Sequence, residues 1–176
     1  MGGTVPISTL HAAATAAVPG KYLIFRLGAA CYGVSVLSVR EIIRLCPVTP
    51  VANMPAHVRG VINLRGRIIP LVDLRTRFRL PVAADDDRTC VVVAQVPSAD
   101  GGLRPYGVVV DGVEEVASFT RDTLEPVPDF GGAIDARFLT GMAKTPTGVV
   151  TLIDLDAIAA TEHDPGGADP SMGADA

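Results

Sequence analysis

Six arginines, Arg59, Arg65, Arg67, Arg75, Arg77 and Arg79, fall within 21 residues of this 176-residue chain. A guanidinium stays charged and presents its donors as a planar fork, so the cluster suits recognition of carboxylates or phosphates. Arg75, Arg77 and Arg79 alternate, and an extended chain projects alternate residues to one side. Three readings compete for that stripe: a solvated strand edge that resists aggregation, an acidic protein partner, and a nucleic-acid groove. The groove needs stacking aromatics, and only Phe78 is near.

Other reactive residue types lack the company that catalysis requires. His11, His57 and His163 are far apart in sequence, and only His57 falls within a segment expected to fold. Cys31, Cys46 and Cys90 show no CxxC spacing and have no motif that sets a base beside them, so they read as small apolar filler in a reducing compartment. Asp85-Asp86-Asp87 reads as a solvated connector, since adjacent carboxylates point in different directions and a divalent cation needs ligands that converge. The sequence carries no Gly-rich phosphate loop, HExxH or GxSxG motif. No catalytic residue, metal ligand or cofactor is expected, and binding is the better reading. A net charge of −4 argues against nucleic acid or an anionic membrane as partner.

The elements that must position these residues are short and β-rich. Of the chain, 48% is hydrophobic, mostly Val, Ile, Leu and Ala, with runs such as Val91-Val92-Val93 and Val108-Val109-Val110 that favour a sheet. Residues 1–19 read as a flexible lead-in, 20–161 as the folded unit and 162–176 as a disordered tail. The Ala-rich stretch from Leu10 to Val18 resembles a signal-peptide core, yet no Lys or Arg precedes Lys21. Lys21–Leu27 and Cys31 to about Val39 read as a hairpin across Gly28-Ala29-Ala30. Val58–Leu64 and Arg67–Leu74 read as a second hairpin, with Gly66 supplying a positive φ, and Pro70 places its strand at an edge or bulge. Further strands are expected at Thr89–Val96, Tyr106–Val113 and Val149–Ile153, and Glu114–Asp135 is less regular. Asp154 is placed to cap a short helix through Ala160. Pattern alone gives an all-β barrel or sandwich with one or two short helices.

The stretch Arg59-Gly60-Val61-Ile62-Asn63-Leu64-Arg65-Gly66-Arg67-Ile68-Ile69-Pro70-Leu71-Val72-Asp73-Leu74-Arg75 resembles the signature of the CheW family of chemotaxis coupling proteins. Tyr22–Gly28, Tyr32–Val34, Val39–Ile43, Ala52–Ala56, Tyr106–Val113, Phe138–Met142 and Leu152–Leu155 extend the resemblance over about residues 20–160. It implies two intertwined five-stranded SH3-like barrels, each with its own core. It also implies a non-enzymatic scaffold that couples the cytoplasmic tip of chemoreceptors to the regulatory domain of the histidine kinase CheA. Such a protein works in the cytoplasm, at receptor arrays on the inner face of the membrane, and meets the membrane only through receptors. An adaptor of a non-flagellar pathway (pili or second messenger) and a small nucleic-acid-binding barrel stay open as alternatives.

Carried over residue by residue, the resemblance associates Glu41 and Arg65 with receptor and kinase coupling, and the two are expected to pair at a groove edge. Val39, Ile42 and Ile62 are candidates for an apolar groove floor, and Asn63, Leu64, Arg65 and Gly66 form a recognition turn. Arg75, Arg77 and Arg79 are a candidate kinase-binding edge. Arg67 stands where many family members carry a small or apolar residue, and Ala29-Ala30-Cys31 replaces a turn that is more often polar.

Overall fold

The computed structural model describes residues 16–81, 83–128 and 134–161. The chain runs β1 (Gly20–Leu27), β2 (Ala30–Ser35), β3 (Val39–Arg44), β4 (Val58–Leu64), β5 (Arg67–Asp73) and α1 (Leu74–Arg77). It continues through β6 (Cys90–Pro97), β7 (Leu103–Val110), β8 (Gly112–Phe119), β9 (Leu124–Glu125), β10 (Leu139–Thr145), β11 (Gly148–Ile153) and α2 (Leu155–Ala160). The strands form two sheets, ordered β8-β1-β2-β11-β10-β9 and β3-β6-β7-β5-β4. The second is one continuous block of chain, whereas the first is assembled from both flanks of that block. This is the intertwining that the resemblance implies: each sheet has five full strands, and the first adds the two-residue β9.

Alternation along each strand explains how the two barrels share an interior. In β1, Leu23, Phe25 and Leu27 face the largest apolar cluster, and Tyr22 and Ile24 face a smaller one within the first barrel. In β6, Val92, Ala94 and Val96 join the large cluster, and Val91 and Val93 fill the second barrel. The same split divides Val108 and Val110 from Val109 in β7. Strands buried on both faces read as continuous valine runs instead of alternating ones. The expectation of one core per barrel is therefore incomplete, because the largest cluster lies in the seam between the sheets. Phe25, Phe78, Phe138 and Tyr106 are all fully buried there, and each large side chain removed from water contributes about 1.5–3 kcal/mol.

Local chemistry sets the boundaries. The segment expected to run from Cys31 to Val39 stops at Ser35, whose Oγ accepts from Leu37 N and opens a 3-10 turn at Val36–Ser38; β3 then begins as a separate strand. β8 and β10 were not legible as strands: β8 carries Glu114 and Glu115 mid-strand on an exposed stretch. Pro70 does not mark an edge: β5 lies between β7 and β4, and the register irregularity of the hairpin falls between Val58 and Gly60; Pro70 sits opposite Val61, and the parallel pairing of β5 with β7 begins only at Leu71. The missing donor thus falls where the far flank of β5 is unpaired. Asp154 caps α2 as expected, accepting from Asp156 N and Ala157 N.

The lead-in reading of residues 1–19 needs one correction at its end. Ala17 N donates to Thr140 O at 2.9 Å, and Tyr22 Oη donates to Val18 O at 2.6 Å, so the last lead-in residues are held against the first barrel. Residues 1–15 and 162–176 lie outside the described residues. Among the described residues no helix is long and apolar enough to cross a membrane.

Gly60 marks the tightest approach in the second barrel. Its φ is +141°, and a Cβ there would lie 2.1 Å from the backbone oxygen of Thr49. Thr49 pairs with Val61 through two backbone hydrogen bonds of 2.9 Å, so the oxygen cannot withdraw without losing that bridge. Gly60→Ala is expected to cost about 2–4 kcal/mol, read as a lower urea midpoint with unchanged slope. An unshifted midpoint would show that the 45–50 segment yields freely.

Candidate functional site

The β4–β5 hairpin closes through a two-residue turn, with Leu64 opposite Arg67. Both turn residues take positive φ, Arg65 at +52° and Gly66 at +83°. This is the sense that matches strand twist, and it is normally filled by Asn, Asp or Gly. Asn63 Oδ1 accepts from Gly66 N at 2.9 Å and fixes the turn from its own side chain. An arginine in the left-handed region is an uncommon choice that a surrounding structure must hold in place.

What meets it is Glu41 on β3. Arg65 Nη1 donates to Oε1 at 2.6 Å and Nη2 to Oε2 at 2.9 Å, a two-point fork between the hairpin tip and the edge strand. The Arg65 hydrogen bonds hold the Glu41 carboxyl below its ordinary range, and Glu41 in turn raises Arg65. Arg65 stays 73% exposed. The fork orients the guanidinium and leaves its outer surface open to solvent.

Around this bridge the expected groove floor separates. Val39 is half-buried against the seam cluster, and Leu64 is half-buried against the core of the second barrel. Ile42 points outward at 44% exposure. Ile62, expected on the floor, is 2% exposed inside the second barrel, because alternation in β4 turns it inward while Asn63 faces solvent. Ile62 holds the strand beneath the turn and does not line the surface.

The stripe expected at Arg75, Arg77 and Arg79 does not exist as an edge. Asp73 Oδ1 accepts from Arg75 N and Thr76 N, ends β5 and starts α1, and Leu74 and Phe78 then pack inward at helical spacing. The three arginines diverge. Arg75 is 3% exposed; its Nη1 donates to Ala83 O at 2.6 Å, its Nη2 to Asp85 Oδ1 at 3.2 Å, and its Nε lies 2.8 Å from Asp111 Oδ1, off the line of the N–H bond. Arg77 Nη2 donates to Thr161 Oγ1 at 2.7 Å, with its guanidinium 4.7 Å from the centre of the Phe138 ring. Arg79, at φ +57°, is exposed. The helical signal was present as the Leu74/Phe78 spacing behind a capping Asp, but the alternating charges obscured it.

Asp85 also departs from the solvated-connector expectation. Arg59 grips it through Nη1 and Nη2, each at 2.9 Å, and reaches Asp73 as well. These bonds lower the Asp85 carboxyl and raise Arg59. Among the described residues no group of three or more His, Cys, Asp or Glu is arranged to hold a metal ion.

The description CheW-like domain matches residues 21–163 of this chain. The chain belongs to the CheW family. It is 36% identical over 163 residues to Chemotaxis protein CheW of Klebsiella aerogenes, covering 93% of each chain. It is 34% identical over 145 residues to Chemotaxis protein CheW of Rhizobium meliloti, covering 82% of this chain and 90% of that one. The crystal structure of the scaffolding protein TtCheW from Thermoanaerobacter tengcongensis superposes with a TM-score of 0.70 at 29% identity, over 79% of this chain and 86% of that one. The two intertwined barrels described above are thus the SH3-like CheW fold, and the bridge joins Arg65 at the tip of its signature hairpin to Glu41 on β3.

Proposed function

We propose that this chain is a non-enzymatic coupling adaptor that joins the cytoplasmic tip of chemoreceptors to the regulatory domain of the histidine kinase CheA. The observation that carries the reading is Arg65, an exposed arginine kept in a left-handed turn and oriented by a two-point bridge to Glu41. A glycine or asparagine would serve the backbone better, so the side chain is retained for what it presents. Membership of the CheW family and likeness to a scaffolding protein support the same reading. The chain binds through Asn63–Gly66, Glu41 and the outer face of β3, with Val39 and Leu64 packed beneath. It works in the cytoplasm beneath the membrane, at receptor arrays.

The test is autophosphorylation of the cognate kinase with receptor-containing membranes, with and without this protein. Activity that depends strongly on receptors only when the protein is added is the expected result. Unchanged activity, with no complex formed with either partner, sinks the adaptor reading.

A further inference from the structure

Residues 162–176 carry Glu162, Asp164, Asp169 and Asp175 and no Lys or Arg. The 15 basic residues of the chain all precede them, so the net charge of −4 resides in this segment and the other 161 residues balance. The segment leaves the fold at Thr161, the residue that closes α2, and two guanidinium groups flank that exit. Arg77 Nη2 donates to Thr161 Oγ1 at 2.7 Å, and Arg104 Nη2 donates to Ala159 O at 3.3 Å. An aromatic ring orients each of them: the Arg77 guanidinium lies 4.7 Å from the centre of Phe138 and that of Arg104 lies 5.6 Å from the centre of Tyr106. Both arginines are half-buried, and among the described residues neither is held in an ion pair. Arg77 Nε is buried with no hydrogen-bond partner.

The acidic groups nearby are already engaged. Asp135 lies within electrostatic reach of Arg77, but its carboxylate is forked by Arg137 through Nε and Nη2. Asp100, in the β6–β7 turn, accepts from Gly102 N. Asp154 and Asp156 stand at the opposite end of α2, where Asp154 caps the helix. Arg77 and Arg104 therefore keep positive charge at the point where the acidic segment begins.

We propose that residues 162–176 fold back as an acidic strap, with Glu162 and Asp164 closing onto Arg77 and Arg104. Chain continuity favours this occupant over any free acidic chain, because a tethered carboxylate one to three residues from the exit acts at a high effective concentration. Pro165-Gly166-Gly167 then suits a reversal that returns Asp169 toward the same face. Arg77 ends α1 and Arg104 lies on β7, both in the block that builds the second sheet, whereas α2 follows β11 of the first. The strap is thus a salt-sensitive clasp across the seam between the barrels, and it screens both guanidinium groups from other acidic chains. It stands apart from the adaptor reading, which uses neither arginine, and its failure leaves that reading untouched.

The experiment measures backbone amide order parameters of the full chain by nitrogen-15 relaxation, at about pH 7.5 so that His163 is neutral. Glu162, His163 and Asp164 are expected to reach about 0.8 at low salt and to fall below about 0.6 in roughly 0.5 M salt. The same fall is expected at low salt in Glu162→Gln with Asp164→Asn, which touches none of the folded contacts above, and in Arg104→Gln once circular dichroism confirms its fold. Values below about 0.6 in the wild type at low salt overturn the strap. Order that survives neutralisation of Glu162 and Asp164 also overturns it, since continuation of α2 then accounts for the rigidity. Order that appears only as protein concentration rises overturns the intramolecular contact in favour of a second copy of the chain.

Discussion

Arg75→Ala is expected to lower the free energy of unfolding by about 3–5 kcal/mol, toward the lower end because its carboxylate partners reach solvent. Arg75 is buried, and it touches three parts of the chain: the Ala83 carbonyl, Asp85 and Asp111. Asp111 lies where the chain passes from β7 in one sheet to β8 in the other. Its Oδ2 accepts from Gly28 N at 2.7 Å and its own N donates to Arg26 O at 2.9 Å, so it also secures the β1–β2 turn. Asp85 extends the network to Arg59 and from there to Asp73, the cap of α1. Removing the guanidinium leaves Asp111 without the cation beside it and Ala83 O without its donor, while Asp85 keeps its fork to Arg59. Equilibrium urea denaturation measures the loss, and Arg79→Ala, which truncates an exposed side chain, is the control expected within about 0.5 kcal/mol. A shift of less than about 1 kcal/mol for Arg75→Ala would mean that solvent already compensates these carboxylates. The pH dependence follows from Asp85, whose folded carboxyl is depressed below its ordinary 3.8, chiefly by Arg59. Its contribution is complete above that ordinary value and is lost as pH falls through the lower folded one. The Arg59–Asp85 contact is therefore intact at neutral pH and is lost only as acid protonates Asp85.

Arg65→Glu is expected to reduce receptor-dependent kinase activation about tenfold or more while leaving the urea midpoint close to that of the wild type. The side chain is exposed, and its removal uncovers no apolar surface. The glutamate does more than delete a charge, since it sets a carboxylate against Glu41 where a fork stood. Two further variants separate backbone from side chain and bridge from partner. Arg65→Gly suits the +52° φ and keeps the turn, and it is expected to lose coupling all the same. Glu41→Arg combined with Arg65→Glu rebuilds the bridge with its charges exchanged. Coupling that returns in this swap assigns the function to the bridge, and coupling that stays lost assigns it to direct contact between Arg65 and a partner. Unfolding of Arg65→Glu, seen by circular dichroism, would make the position structural.

Much of this molecule was legible along the chain because it depends on near neighbours. The Leu64–Arg67 hairpin, the positive φ at Gly66 and the Asp154 cap all follow from residues within a few positions of one another, whereas the edge expected from Pro70 fails because pairing of β5 with both β4 and β7 is set at long range. The signature stretch identified the family on the same local information. Glu41 and Arg65 were expected to pair, and the fork between strands 24 residues apart meets that expectation. The sequence alone determined a β-rich binding module, its family and the turn that carries its arginine. Tertiary structure decided which face of each strand meets solvent. Ile62 and Ile42 are equally apolar, yet one is enclosed in the second barrel and the other lies bare on its outer face. It also decided the fate of the arginines, since a two-residue alternation that fits an extended strand was overridden by Asp73 capping a helix. Asp85 became a partner of Arg59 and Arg75 only when the connector after α1 folded back against β4 and α1. The physical reason is the same in each case: burial and charge pairing are set by contacts between distant segments, which no local period records.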